Sequence, residues 1–276
     1  MARAVLPTAL GLTLGLICTS CGSDRSVEAV LAQCPPVDLV FAMDTSGSME
    51  DEAAALCTTI SGVEQSLRDR GLDEIRTTLL GITETDTVTE TGDTGTPDFS
   101  CLTNTVYRVA GGDGTHHPQV PGNAPPETTF ERRPGEFRTV DGAELDPFAD
   151  EAEEYWAAAA AILADDFDWR PDPAMGPPTV RLVVTISDES PQSGADDCFD
   201  VDDLAVDNAI DVAVDNGVIV STIIGEGSDQ DACVRKKGED LARGTGGTSI
   251  FSRDAATDFP PALFDIVVDA CRQRAK

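Results

Sequence analysis

Residues 37–48 read VDLVFAMDTSGS, an apolar run that ends in one carboxylate, three hydroxyl side chains and a glycine. An apolar run of this length is typical of a β-strand that is buried on both faces. Similar runs occupy residues 75–82, 180–186 and 218–224, and a weaker one occupies 248–251. The stretch therefore predicts an inner strand of a parallel sheet, with polar groups at its carboxyl end.

Segments with helical periodicity lie between these strands. In the first, apolar residues recur at steps of three and four, namely Ala53, Leu56, Cys57, Ile60, Val63 and Leu67. Further helices are predicted at about 149–164, 201–215 and 261–274. Alternating strands and helices predict an α/β fold: a doubly wound, mainly parallel sheet with helices on both faces.

Residues 84–147 interrupt this alternation with a segment rich in glycine, proline and threonine. We interpret the segment as a long loop insertion, which is either functional or disordered. Within it, residues 130–140 have the alternation and the central Pro-Gly of a β-hairpin, which is a candidate for the edge strand of the sheet.

The charge balance excludes several partners. The 276 residues include 50 Asp and Glu against 19 Lys and Arg, which gives a formal net charge of -31. Nucleic acids and anionic membrane surfaces are bound through basic side chains, so we expect neither as a partner. The hydrophobic content of 41% is too high for a disordered acidic chain. A globular domain with an acidic surface is predicted.

The first twenty residues are predicted to be an export signal, because one charge, Arg3, precedes an apolar run too short to anchor in a bilayer. The signal ends in CTSC, which resembles the cleavage site of bacterial lipoproteins, with Cys21 as the lipidated residue. Ordinary cleavage after Ser20 or Ser23, without a lipid, is the alternative.

Export sets the expected location and domain limits. Residues 21–33 would form a short linker, and 34–276 the domain. We expect a cell-envelope protein, anchored in the outer membrane and facing the periplasm or the cell surface; the alternative is a secreted protein.

Six cysteines remain in the domain: Cys34, Cys57, Cys101, Cys198, Cys233 and Cys271. In an oxidising compartment an even number predicts disulfide bonds. No two of them have CxxC spacing and the chain has only 2 histidines, so a zinc site is a poor alternative. The residues alone leave fifteen pairings open.

Polar residues follow two of the predicted strands. Asp44, Ser46 and Ser48 follow the first, and the sequence SDE after strand 180–186 supplies Asp188. Ligands bind outside the carboxyl ends of the strands in doubly wound sheets, and carboxylate and hydroxyl oxygens suit hard cations. These four residues predict a divalent-metal site.

The sequence DTSGS after an apolar strand resembles the DxSxS motif of the von Willebrand factor type A (VWA) domain. The resemblance covers about residues 34–271 and includes IIG at 223–225 and LARGTGG at 241–247. It is strongest to exported, acidic bacterial members. It implies a metal-ion-dependent adhesion site, in which Ser46 and Ser48 bind the ion directly while Asp44 and Asp188 hold it largely through water.

One element of the family pattern is missing. The family places a threonine before the helix that precedes the Asp188 strand, whereas this chain reads DPFADE at 146–151. Asp150 is a candidate substitute. Alternatively the site is weak or empty, and Asp44 and Ser48 only cap the first helix.

The family fold also implies a disulfide scheme. It brings the start of the first strand and the end of the last helix to one edge, which favours Cys34–Cys271. Cys198 and Cys233 follow adjacent strands, and Cys57 and Cys101 remain to tie the insertion to the first helix.

These features predict a binding module and not an enzyme. One Mg²⁺, or Mn²⁺ or Ca²⁺, would accept an Asp or Glu side chain from a protein partner, and the insertion would select that partner. The alternatives are a structural envelope protein with a degenerate site and a metal-dependent hydrolase, for which the sequence offers no credible base or nucleophile.

Overall fold

A computed structural model describes residues 26–82, 101–102, 104–108, 116–118, 139–140, 143–144, 156–191, 200–226 and 231–274. The helices are α1 (Val27–Leu31), α2 (Glu50–Asp69), α3 (Trp156–Asp166), α4 (Asp200–Asp215), α5 (Asp231–Thr245) and α6 (Ala255–Arg274), with a 3-10 turn at Gly47–Met49. The strands are β1 (Val37–Asp44), β2 (Ile75–Ile82), β3 (Asn104–Arg108), β4 (His116–Pro118), β5 (Thr139–Val140), β6 (Ala143–Glu144), β7 (Val180–Ser187), β8 (Val218–Ile224) and β9 (Ser249–Phe251).

The main sheet of the described residues has the order β4-β3-β2-β1-β7-β8-β9. Strand β4 is antiparallel to β3, and the other neighbours are parallel. The chain winds outward from β1 to β2 and β3, then returns to the other side of β1 with β7. The predicted doubly wound α/β fold is confirmed, and its topological switch point lies between β1 and β7.

Strand β1 is buried on both faces. Its residues Leu39, Phe41 and Met43 belong to one core cluster, with residues of α1, α2 and α6. Val40 and Ala42 belong to a second cluster, with residues of α3, α4 and α5. Two cores explain why the strand sequence is apolar at nearly every position and does not alternate.

Helix α3 is buried around its circumference, since every residue from Trp156 to Ala164 is at most 6% exposed. Its sequence, WAAAAAILADD, is the composition expected of an inner helix. The small alanine side chains allow close packing against the sheet and α4.

Several elements differ from the sequence-based expectations. The segment predicted as a linker contains α1, whose Val30 and Leu31 are buried in the first core cluster. The insertion supplies the edge of the sheet, but as β3 and β4 and not as the candidate edge strand at 130–140. Most of the predicted hairpin at 130–140 lies outside the described residues. No helix in the described part of the chain has the length and apolar character needed to cross a membrane.

Helix α6 begins at Ala255, six residues before the predicted start at Pro261. Asp254 is the missed signal, because its carboxylate accepts hydrogen bonds from Thr257 N and Oγ1. Pro260 and Pro261 therefore lie inside the helix, beyond the first four residues whose backbone N–H groups have no intrahelical partner. Each proline removes one backbone hydrogen bond from the second turn of the helix, so the prolines do not mark its first residue.

The disulfide predictions are confirmed where the structure describes both partners. Cys34 bonds to Cys271 with a Cα–Cα distance of 5.1 Å, and Cys57 bonds to Cys101 with 5.3 Å. Cys233 is also disulfide-bonded. Cys198 lies outside the described residues, so the predicted Cys198–Cys233 bond stays a prediction.

A buried ion pair anchors the amino end of β1. The Asp38 side chain is 1% exposed, and its oxygens lie 2.7 Å from Arg76 Nη2 and 2.8 Å from Arg170 Nη2. The backbone N–H of Arg170 donates to Asp38 Oδ2 at 2.7 Å. These bonds tie β1 to β2 and to the segment between α3 and β7.

Replacing Asp38 should therefore destabilise the fold strongly. In Asp38→Ala two guanidinium groups would face each other without their carboxylate. Loss of one partner of a fully buried pair costs about 3–5 kcal/mol, and because the Arg76 and Arg170 side chains are 39% and 27% exposed, we expect the lower end of that range. The matched control is Glu64→Gln, which breaks the exposed pair with Arg68 and should cost at most about 0.5 kcal/mol. Urea unfolding measures the stability of both variants. Equal unfolding midpoints for the two variants would contradict the anchoring role of Asp38.

Candidate metal site

The carboxylate of Asp44 is fixed at the topological switch point. Asp44 is the last residue of β1 and is fully buried. Its Oδ1 accepts a hydrogen bond from Ser46 N at 2.8 Å, and its Oδ2 accepts one from Ser187 Oγ at 2.6 Å. Because Met43 pairs with Ile186 in the parallel register, Asp44 and Ser187 lie side by side at the strand ends.

A chain of hydroxyl groups continues from this carboxylate towards solvent. Ser46 Oγ lies 3.0 Å from Ser48 Oγ, and Ser48 Oγ donates to Asp188 Oδ1 at 3.0 Å. Ser46 is buried and Ser48 is exposed. The four residues predicted from the sequence thus form one polar group, which is contributed by two loops and opens to solvent at Ser48.

Neighbouring elements hold both loops in place. Thr45 Oγ1 donates to the carbonyl of Ile82 at 2.6 Å, which ties the first loop to the end of β2. In the second loop, Glu189 N donates to Ser187 Oγ at 3.1 Å and Trp156 Nε1 donates to the carbonyl of Glu189 at 3.0 Å. The site is therefore supported from β2 and α3 as well as from β1 and β7.

The sequence reasoning missed Glu52. This side chain, in the first turn of α2, is partly buried, and a Cβ built on Gly225 would lie 3.1 Å from Glu52 Oε1 and 3.2 Å from Asp188 Cβ. Glu52 lies in the turn of helix that directly follows the Ser48 loop. This closeness in sequence was the available signal, but it was obscured because Glu50 and Asp51 are also acidic.

Ionisation of the carboxyl groups at this site is energetically unfavourable. Burial raises the pKa of Asp44 to about 7, despite the hydrogen bonds from Ser187 and Ser46, and Asp188 adds to the rise. Burial also raises the pKa of Glu52, with further contributions from Asp188 and Asp51. Among the described residues, neither Asp44 nor Glu52 forms an ion pair with lysine or arginine. A bound cation would offset this cost.

The structure does not support the capping alternative. The N-cap position of α2 is Met49, and no side chain makes a capping hydrogen bond there. Asp44 and Ser48 instead bond to groups of the two loops. The candidate substitute Asp150 and the candidate lipidation site Cys21 lie outside the described residues.

The donor set combines hydroxyls with carboxylates. In the described part of the chain, no group of three or more His, Cys, Asp or Glu side chains is placed to hold a metal ion. Any ion at the switch point would therefore depend on Ser46 and Ser48 together with Asp44 and Asp188. Such an all-oxygen set suits Mg²⁺, Mn²⁺ or Ca²⁺ and not softer metals.

Comparison with known proteins assigns neither a family nor a function to the chain. No protein-family model matches the chain, and a search of curated proteins finds no similar one. Fold and site together define a doubly wound α/β protein with a cluster of carboxylate and hydroxyl oxygens at its switch point. Membership of the VWA family stays a prediction from the sequence motifs.

The raised pKa of Asp44 predicts a pH-dependent stability in metal-free buffer. Between about pH 4 and 7 the carboxyl group is ionised in the unfolded chain but protonated in the folded one, so the free energy of unfolding should fall as pH rises. The rise from 3.8 to about 7 corresponds to about 4 kcal/mol at most, and the loss should be complete above about pH 7.

Asp44→Asn is the control, because it cannot ionise and shares the other charges of the chain. Urea unfolding in chelator should show the stability of wild type, relative to this variant, falling from pH 4.5 to pH 7.5. A difference between the two proteins that does not change with pH would contradict the cost assigned to Asp44.

Proposed function

We propose that this protein binds one divalent cation at Asp44, Ser46, Ser48 and Asp188 and uses it to bind a carboxylate of a protein partner. The observation that carries the proposal is the connected polar group at the switch point, in which the buried Asp44 lies beneath Ser46, Ser48 and Asp188. Its open side, at Ser48, faces solvent.

The spacing of the oxygens supports a small, hard cation. Ligands at 2.0–2.1 Å from Mg²⁺ in octahedral geometry lie about 3 Å from their nearest neighbours. The oxygens of Ser46 and Ser48, the two direct ligands in this proposal, lie 3.0 Å apart; they are joined by a hydrogen bond that a bound ion would replace. When bound, the ion would supply a Lewis-acidic position for an anionic oxygen. The residues of the chain would orient the ion, with Ser46 and Ser48 as direct ligands and the carboxylates of Asp44 and Asp188 as acceptors for its bound water.

The charge of the protein supports a partner that binds through the metal. A chain with a formal charge of -31 repels acidic partners at long range. Binding of an Asp or Glu side chain therefore requires a local positive charge, which the cation would provide. Without the ion, the carboxylates of Asp44, Asp188 and Glu52 would repel the same group.

Two further parts of the proposal concern location. The disulfides Cys34–Cys271 and Cys57–Cys101 suit an oxidising compartment, which supports export to the cell envelope. We propose that Cys21 carries a lipid anchor in the outer membrane, with free secretion as the alternative.

The first test is metal binding measured by calorimetry. Wild type should bind one Mg²⁺ or Mn²⁺, and Asp44→Ala should abolish binding. Ser48→Ala should weaken binding roughly tenfold or more, because even the loss of a group that only orients a metal ligand typically costs 10- to 100-fold. The matched control is Asp207→Ala, which removes an exposed carboxylate of α4 and should leave binding unchanged. Equal binding by all four proteins would show that the acidic surface, and not this site, binds cations.

The second test is partner capture. The mature protein, immobilised, should retain an envelope protein from the source organism in Mg²⁺ and release it in chelator. Asp44→Ala should retain none. Capture that is insensitive to chelator and to this substitution would contradict metal-mediated recognition, and turnover of a hydrolysable substrate by wild type alone would favour the hydrolase alternative.

A further inference from the structure

Two arginines flank an aromatic ring at the carboxyl end of β9. The guanidinium carbon of Arg235, in α5, lies 3.8 Å from the centroid of the Phe251 ring, and that of Arg253 lies 5.6 Å from it. We refer to Arg235, Phe251 and Arg253 as the arginine–phenylalanine patch. Stacking on a ring orders a guanidinium while leaving its edge N–H groups available to an anion.

This patch lies at the same edge of the sheet as the candidate metal site. Ser187 pairs with Ile224, and Ile224 pairs with Phe251, so all three residues lie at the same height along their strands. Asp188 directly follows Ser187. Two strand spacings separate Phe251 from Ser187, which is about 10 Å.

The patch also adjoins a short basic stretch of an otherwise acidic chain. The first half of α5 contains three consecutive cations, Arg235, Lys236 and Lys237, in a chain with only 19 Lys and Arg. Lys236 pairs with Asp240, and Lys237 pairs with Asp203. Arg253 is exposed. Asp258 interacts electrostatically with it, but no carboxylate among the described residues lies within ion-pair distance of its guanidinium.

We propose that Arg253, supported by the ring of Phe251, binds a second carboxylate of the acidic segment whose first carboxylate reaches the metal site. This inference rests on the proposed function and deepens it, because it specifies the partner. Residues i and i+3 of an extended chain are about 10 Å apart. The partner would therefore carry two acidic residues separated by two others.

Such a second contact would supply specificity. The overall negative field disfavours acidic segments in general, and a segment with one carboxylate gains only the metal contact. A segment with two carboxylates at the right spacing gains a charge-assisted, two-pronged hydrogen bond from the guanidinium as well.

The test uses two short peptides in Mg²⁺, acetyl-Asp-Gly-Gly-Glu-amide and the same peptide with Gln in place of Glu. Wild type should bind the diacid about three- to fivefold more tightly, as expected for an exposed ion pair of up to about 1 kcal/mol. Arg253→Gln should bind both peptides equally. Phe251→Leu should reduce the preference by removing the stacking surface.

Arg272→Gln is the matched control, because it removes an exposed arginine near the end of α6, where Arg272 pairs with Asp269, and it should keep the full preference. NMR titration measures the affinities, and thermal melting verifies that each variant is folded. A diacid preference that is absent in wild type, or that survives Arg253→Gln, would overturn the inference.

Chelator separates this inference from the proposed function. Binding of the monoacid peptide that is equal with and without chelator contradicts the proposed metal-mediated recognition. Binding that needs Mg²⁺ but shows no diacid preference contradicts only the role of Arg253. Failure of both peptides to bind at millimolar concentration contradicts both.

Discussion

The structure depends on β1, a central strand that pairs along most of its length with both β2 and β7 and is buried on both faces. Helices must therefore cover both sides of the sheet, and the chain must change direction beside this strand. The switch point follows from that arrangement, and it is the place where ligands bind in doubly wound sheets. The position of the candidate site is thus a consequence of the same strand that organises the two cores.

Each end of β1 carries a buried aspartate, and the two have opposite surroundings. Asp38 lies between Arg76 and Arg170, so its charge is compensated within the protein. Asp44 is held by hydroxyl and backbone donors alone, and its pKa rises because burial is not balanced by a cation. The first arrangement stabilises the fold. The second leaves an unfavourable free energy of ionisation at Asp44, which a bound cation can offset. Such an arrangement is typical of functional sites.

Acidic residues dominate the surface, so the few places where cations are grouped are informative about binding. On the edge that holds Asp188, the strand register also places the arginine–phenylalanine patch about two strands away. A metal ion and a stacked guanidinium would present two separate positive points in a negative field. Recognition of this kind selects partners by the spacing of their carboxylates and not by their total charge.

The sequence by itself determined the fold class and the four residues of the candidate site. Unbroken apolar strands require two covering layers, and in a parallel sheet such strands deliver the residues that follow them to one edge. Edge strands β3 and β4, the packing of α1 and the place of Glu52 were decided only by the tertiary structure. Short strands in a long polar insertion carry little periodic signal, and one carboxylate among three consecutive acids is distinguished only by its position beside Gly225. The charge of Asp38 is balanced by arginines that are distant in the sequence, whereas no such cation lies beside Asp44 in the part of the chain that the structure describes. This difference could not be read from the sequence, because an electrostatic environment depends on packing and not on local sequence.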